Sequence, residues 1–284
     1  MRRNSGGTPK ARALGAELRE VRDTAGYSLR ELGRELETNH VKLQRYESGE
    51  IVPSSELVAA YVASLGASAQ TRERLVEMAR DADQPDWLST AKSGARKELT
   101  TLIEFERTAT RITDVTTGVI PGLLQTSDYA RAVMQRLSSD EVETMVLMRV
   151  GRREILTTKN APQFVAFIAE SAMNEPIGGH AIMAEQLRHV VKMSDWENVA
   201  IHVLRSGATT LHPAHLGSFV LFEFPKATPI VHMEHYHSSV SLHNPGTAAA
   251  YQDAVTSLHE LAMSPEASAE FIANRASELE DSAS

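Results

Sequence analysis

Between Ser28 and Gly49 the chain reads SLRELGRELETNHVKLQRYESG, two short amphipathic runs around a break, and no other stretch restricts the fold so narrowly. Ser28 can accept a backbone N–H three residues on while Glu31 reaches back to the Ser28 amide, a capping box that opens a helix. Leu32 and Leu36 then share one face. Glu37 and Thr38 break the periodicity, and Asn39 is a good N-cap for a second helix whose inward face is Leu43 and Tyr46. Gly49 ends that helix, and its position predicts a left-handed conformation. Helices this short do not hold in water alone, so other elements must cover their apolar sides.

The flanking sequence supplies the cover. Residues 10–25, KARALGAELREVRDTA, carry Leu14, Leu18 and Val21 on one stripe. After Pro53, Leu57, Val58, Tyr61, Val62 and Leu65 form another, and Ser68 caps a fifth helix through Leu75, Val76 and Met78. Such a set packs as a compact five-helix bundle with its third helix exposed along one side. A tight helix pair with the second member exposed is the geometry that lays a helix into the major groove of DNA.

The residues GYSLRELGRE followed by NHVKLQRYESGEIVPS resemble the Xre family, the phage-repressor type of helix-turn-helix protein, over about the first 80 residues. The resemblance implies a structural salt bridge between Arg22, near the end of the first helix, and Glu47, at the end of the third. It implies base-facing positions at His40, Val41, Gln44 and Arg45. Lys42 and the N-terminal ends of the second and third helices, carrying Ser28, Arg30 and Asn39, would face the DNA backbone. The chemistry suits those places, since arginine can grip guanine, glutamine can pair with adenine, and valine can touch a thymine methyl. One position departs from the family pattern: the residue after the Ser28 cap is often a glutamine that touches phosphate, and Leu29 cannot form a hydrogen bond.

Charge shapes the expected partners. The 284 residues include 29 basic and 37 acidic side chains, a net charge of −8, and the first 83 residues are balanced. The excess negative charge therefore falls on the remainder, which is not expected to lie along DNA. Basic residues at the start, Arg2, Arg3, Lys10 and Arg12, read as an arm over the phosphates. A neutral module releases few counterions and should bind a single site poorly, which predicts a homodimer on double-stranded DNA with recognition helices about 34 Å apart.

The chain has no cysteine, which excludes disulfides and thiolate metal sites and fits the cytoplasm. No run approaches the roughly 20 apolar residues a membrane span requires, so no membrane partner is expected. Asp, Pro, Ser and Gly gather near ARDADQPDWLSTAKSGARKE. The expected organisation is a helix-turn-helix DNA-binding domain at 1–83, a linker at 84–96, and a larger α+β domain at 97–284, a mainly α fold with an α+β part.

Within the larger domain, LTTLIEFERTATRI reads as a helix, Pro121-Gly122 as a turn, SDYARAVMQRL as a helix capped by Ser127, and EVETMVLMRVGRREIL as another helix. QFVAFIAE, VAIHVLR, SFVLFEF and PIVHMEHYH have strand length and β-rich composition, with an amphipathic helix, GGHAIMAEQLRHVVKM, between the first two. One parallel pair, an antiparallel extension and two closing helices, TAAAYQDAVTSLHELA and SPEASAEFIANRASEL, complete an α+β domain.

ERTATRI followed by VIPGLLQTSDYARAVM, with MRVGRREIL and AMSPEASAEFI, is similar to the large domain of unknown function that follows an Xre-type module in many actinobacterial regulators, the Scr1-like and WhiJ-like group. That likeness spans nearly all of residues 97–280. It implies an antitoxin-like transcriptional regulator controlled through its C-terminal domain by a small partner protein encoded nearby. The alternative is a one-component regulator whose C-terminal domain senses a small molecule.

No enzyme is expected. Seven of the eleven histidines fall between 202 and 243, among them His212, His215, His232, His235 and His237. On a strand, His235 and His237 point away from His232 and Glu234, so one metal could not gather them without a bulge or a neighbouring strand. They read as surface or interface histidines that titrate near pH ~6.5. There is no P-loop, dinucleotide fingerprint, nucleophile elbow or HExxH, so neither cofactor nor metal is expected. Gln125, Thr126 and Asp128 read as cap and turn groups, Arg149, Arg152 and Arg153 as ion-pair partners of Glu141, Glu143 and Glu154, and Gly178-Gly179 as a helix start.

Overall fold

The computed structural model describes residues 7–83, 86–90, 95–134, 139–225, 227–235 and 238–283. The chain divides into two compact units, Met1–Ala109 with Phe222–Ala248, and Thr110–Leu221 with Ala249–Ser284. An N-terminal helical region is followed by an α+β region, and no described helix is long and apolar enough to cross a membrane.

Five successive side-chain caps, Thr8, Ser28, Asn39, Ser54 and Ser68, each accept a backbone N–H from the first turn of a helix. They open α1 (Pro9–Thr24), α2 (Leu29–Glu35), α3 (His40–Glu47), α4 (Ser55–Ser64) and α5 (Ala69–Arg80). Leu14, Leu18, Leu32, Leu43, Tyr46, Val58, Tyr61, Val62 and Leu75 form one buried cluster, flanked by half-buried Val21, Leu29, Leu36, Leu57, Leu65, Val76 and Met78. Leu29 thus packs against the core.

Two glycines permit the close approaches that shape this bundle. A Cβ on Gly33 would stand 2.8 Å from the carbonyl oxygen of Thr38, whose own N–H donates to the Gly33 carbonyl at 2.8 Å, closing the turn between α2 and α3. A Cβ on Gly15 would stand 2.4 Å from the Glu47 carbonyl oxygen and 2.6 Å from that of Tyr46, so α1 touches the end of α3 backbone to backbone. At Glu37 the chain turns through a positive φ of 49°, a conformation costly for a residue with a Cβ.

After α5 the chain forms β1 (Asp86–Thr90) and α6 (Ala95–Thr108). The stretch read as a linker, 84–96, therefore contains a strand, while residues 84–85 and 91–94 lie outside the described set. The helix expected to run through Ile112 stops at Thr108, and Arg111–Thr116 is strand β2, with Ile112, Thr113, Val115 and Thr116 buried. These β-branched residues have stiff side chains that suit a strand better than a helix.

In the second unit the chain continues through a 3-10 turn at Gly122–Leu124 and α7 (Ser127–Val133), whose cap is Thr126 rather than Ser127: its hydroxyl accepts the Tyr129 N–H at 3.3 Å. Then follow α8 (Ser139–Arg152), β3 (Gln163–Ala169), α9 (Glu170–Asn174), α10 (His180–Ser194) and β4 (Val199–Leu204). Strand β3 pairs in parallel with both β2 and β4, Phe164 lying opposite Ile112 and Val199. The remaining elements are β5 (Phe219–Glu223), β6 (Ile230–His235), β7 (Ser238–Leu242), α11 (Pro245–Leu261) and α12 (Pro265–Ala283). Strand β7 pairs antiparallel with β6 and with β1, Val240 facing Met233 on one side and Leu88 on the other. Helix α10 packs on β4 and α12 and buries Met183, Leu187 and Val190.

One contact of the second unit depends on a neutral histidine. Arg153 Nη1 donates to His189 Nε2 at 2.6 Å, and burial, then the charges of Arg153 and Lys192, hold His189 below the ordinary histidine pKa. The folded chain therefore takes up this proton later than the unfolded chain as pH falls. The contact's stability is complete above pH ~6.5 and declines below it. Replacing His189 by Gln keeps an acceptor for Arg153, and melting temperatures measured from pH 7.5 downward should fall less steeply in this variant. An unchanged slope would assign the acid loss to other groups.

Gly15 gives a packing prediction. Gly15→Ala should cost about 1–3 kcal/mol in urea unfolding, because the new methyl meets backbone that cannot yield. Gly118→Ala, where nothing lies within 4 Å, should cost far less. Equal losses would contradict the close approach.

Candidate nucleic-acid interface

Helix α3 presents two faces. Leu43, Tyr46 and Glu47 are buried, while His40, Val41, Lys42, Gln44 and Arg45 are exposed, as are Ser28, Arg30 and Asn39 at the starts of α2 and α3. The exposed edge therefore carries a ring nitrogen pair, an apolar branched side chain, a primary amide and two cations. Arg45 Nε lies 3.2 Å from Glu50 Oε2 in a pair whose members are each 51% exposed, a contact worth roughly 0–1 kcal/mol and easily exchanged. Asn39 Oδ1 accepts the Val41 N–H at 2.8 Å, which fixes the side chain. Ser28 is more fully engaged, its N–H and hydroxyl both donating to Glu31 Oε2 at 2.9 and 2.6 Å.

The orientation of that edge is set from beneath. Arg22 Nε and Nη2 donate to the two oxygens of Glu47 at 2.7 and 2.8 Å, and the Tyr61 hydroxyl donates to Oε1 at 2.5 Å. Arg19 adds a contact at 3.3 Å, and Arg22 Nη1 continues to the carbonyl of Tyr27 at 2.8 Å. Glu47 is only 1% exposed. Burial alone would raise its pKa, but the hydrogen bonds from Arg22 and Tyr61 and the charges of Arg22 and Arg19 outweigh burial and lower it. The same contacts push Arg22 up, and Tyr61 is raised by burial and by the Glu47 charge. The stability lent by this carboxylate is present above the ordinary glutamate value of ~4.3 and is lost only as pH falls through its lowered pKa.

Arg19 also reaches Glu104 Oε2 on α6 at 2.7 Å, and Arg107 Nη2 meets Glu104 Oε1 at 2.8 Å. In the sequence Tyr61 reads as one more apolar position, and neither Arg19 nor Glu104 stands out. Their spacing along the chain carries no signal of a shared partner.

The basic arm is corrected by the structure. Arg2 and Arg3 lie outside the described residues, and Thr8-Pro9 starts α1 so early that Lys10 and Arg12 are helical. Lys10 stands 4.0 Å from Asp81, and Arg12 is 2% exposed with its guanidinium 3.5 Å from the centre of the Phe224 ring.

The other singled-out residues are held in structural contacts. Gln125 Nε2 donates to the Ile120 carbonyl at 2.7 Å, Arg149 donates to Gln125 Oε1 at 3.1 Å, and buried Gln186 bonds both Thr126 N–H and the Leu124 carbonyl at 2.7 Å. Glu143 pairs with Arg131 rather than with the arginines of its own helix. Gly178 and Gly179, at φ of 84° and 99°, lead into α10. His232 bonds Ser241 Oγ at 2.9 Å, His202 stacks on Phe167 at 5.1 Å, and His212 stacks on His215 at 3.6 Å, while His237 lies outside the described residues. Among the described residues no group of three or more His, Cys, Asp or Glu could hold a metal ion.

Two known families match separate parts of the chain. The family described as "Domain of unknown function (DUF5753)" matches residues 99–274, and the one described as "Helix-turn-helix domain" matches residues 13–75. No curated protein matches. Among solved structures, TrmBL2, an archaeal chromatin protein described as showing a novel mode of DNA binding, is similar at 10% identity over 84% of this chain and 88% of its own, with a TM-score of 0.31. A likeness so loose carries no argument about ligands.

The buried carboxylate can be tested directly. Glu47→Gln should destabilise the helix-turn-helix region by about 3–5 kcal/mol, since it removes the buried counter-charge of Arg22 and leaves only the exposed Asp23, 2.6 Å away, to pair with it. Tyr61→Phe removes one donor and should cost about 1 kcal/mol. Denaturant unfolding followed by circular dichroism distinguishes the two, and a Glu47→Gln loss no larger than that of Tyr61→Phe would contradict this description.

Proposed function

The chain belongs to the family described as "Domain of unknown function (DUF5753)", joined to a helix-turn-helix domain, and on that premise we propose that it is a sequence-specific transcriptional regulator of the Xre type. The helix-turn-helix domain supports a DNA-binding regulator. The observation that carries the finer reading is the exposed edge His40–Arg45, held outward by the buried Arg22–Glu47 pair. On that edge Arg45 reads guanine, Gln44 reads adenine, Val41 touches thymine and His40 adds a ring donor or acceptor. Lys42, Arg30, Asn39 and Ser28 face the phosphates, Ser28 only after Glu31 yields it.

The balanced charge of the N-terminal region supports a homodimer on a two-part operator, because one copy has little electrostatic affinity to offer. The resemblance to actinobacterial regulators supports an antitoxin-like, non-enzymatic protein of the cytoplasm, controlled through its C-terminal region by a small partner protein. Copurification with a polypeptide encoded beside it tests that control.

Selection of duplexes from a random pool, followed by titration of variants, tests the reading itself. Arg45→Ala should weaken binding to the selected duplex by about 1–3 kcal/mol and relax its sequence preference, whereas Lys42→Ala should weaken every duplex alike and reduce the salt dependence. Equal losses on selected and random duplexes for both variants would refute these roles.

A further inference from the structure

We propose that the N-terminal unit holds an effector site for a small carboxylate with an apolar body, in the cavity where Arg12, Thr108 and Phe224 meet the chain that leaves α3. The cavity has a volume of about 350 Å³ and is lined by Arg12, Arg45, Glu50, Thr108, Phe224 and Pro225, with Gly7, Ser48 and Ala227 completing the wall. That size suits a small ligand.

Arg12 is the reason to expect an anion. Its guanidinium is buried, yet it donates only to neutral oxygens, Nε to the Gly7 carbonyl at 3.3 Å and Nη1 to Thr108 Oγ1 at 2.5 Å. The Thr108 hydroxyl spends its own proton on the Glu104 carbonyl at 2.7 Å. Among the described residues no carboxylate pairs with Arg12, and Glu104 and Glu50 are felt only at a distance. Burial pushes its pKa down to about 10, against the opposing charges of those two glutamates. A buried cation without counter-charge is costly, and a planar carboxylate would supply both the charge and a matching pair of acceptors. The Phe224 ring, Pro225 and Ala227 provide an apolar wall beside it for the rest of the ligand.

The regulatory consequence rests on α3 being the DNA reader. Arg45 and its partner Glu50 stand at the rim of this cavity. Glu50 repels an entering anion, and a bound carboxylate offers Arg45 a second negative partner on the side away from the duplex. Ligand binding should therefore lower affinity for the selected duplex.

Isothermal titration of the full chain without DNA tests the site, with sodium benzoate as the carboxylate, benzamide as its neutral counterpart and inorganic phosphate as an anion without an apolar body. Benzoate should bind saturably, and benzamide and phosphate roughly ten-fold or more weakly. Arg12→Gln should lose benzoate to a similar degree, with circular dichroism verifying its fold. Glu50→Gln should bind benzoate about three-fold tighter, a gain that misfolding cannot produce. No saturation by benzoate, equal binding of benzamide, or no gain in Glu50→Gln would overturn the proposal. Because this titration contains no DNA, its failure leaves the DNA-binding reading intact, and failure to select any duplex leaves the cavity assignment intact.

Discussion

The geometry of the N-terminal unit depends on one buried carboxylate. Glu47 receives two hydrogen bonds from Arg22, one from Tyr61 and a contact from Arg19, so a single side chain at the end of α3 joins α1 and α4. A buried ion pair of this kind contributes little net stability compared with apolar packing, but it tolerates only one arrangement of its partners. The consequence is orientation. With Glu47, Tyr46 and Leu43 turned inward, the helical period leaves His40, Val41, Gln44 and Arg45 outside.

Close backbone approach reinforces the same choice. Gly15 allows α1 to touch the carbonyls at the end of α3, and Gly49, at φ 70°, brings the chain after α3 to within 2.7 Å of Arg12 backbone atoms for any added Cβ. Helix α3 is thus clamped at its C-terminal end, and side chains at its rim remain the adjustable part. Arg45 and Glu50 are half exposed and weakly held, so they can exchange partners without disturbing the core.

The second unit is built differently, around three parallel strands, and two of its amide side chains are consumed internally. Gln186, fully buried, uses both ends of its amide to pin the turn before α7, and Gln125 is bonded at both ends as well. A segment as rich in polar groups as PGLLQTSDYA invites a binding role, yet the structure assigns those groups to caps and turns. Among the histidines of this unit, His202 rests on the Phe167 ring and His212 on that of His215, while in the N-terminal unit His232 bonds Ser241 Oγ.

What the sequence by itself determined is local. The caps at Ser28, Asn39 and Ser68, the stripes of α1 and α4, and the break at Glu37 and Thr38 all arise between residues a few positions apart, and local hydrogen bonds and helical periodicity are written in adjacent residues. The exposed edge of α3 was legible for the same reason. Only the tertiary structure decided that RITDVT is a strand, that SSVSL pairs with DWLST, and that residues 222–248 return to the N-terminal unit. It also decided that Arg12 is buried against Phe224 and that the Tyr61 hydroxyl finds Glu47. Those outcomes depend on partners distant in the chain, whose pairing leaves no periodic trace in either segment alone, because the free energy that selects them exists only once both are brought together.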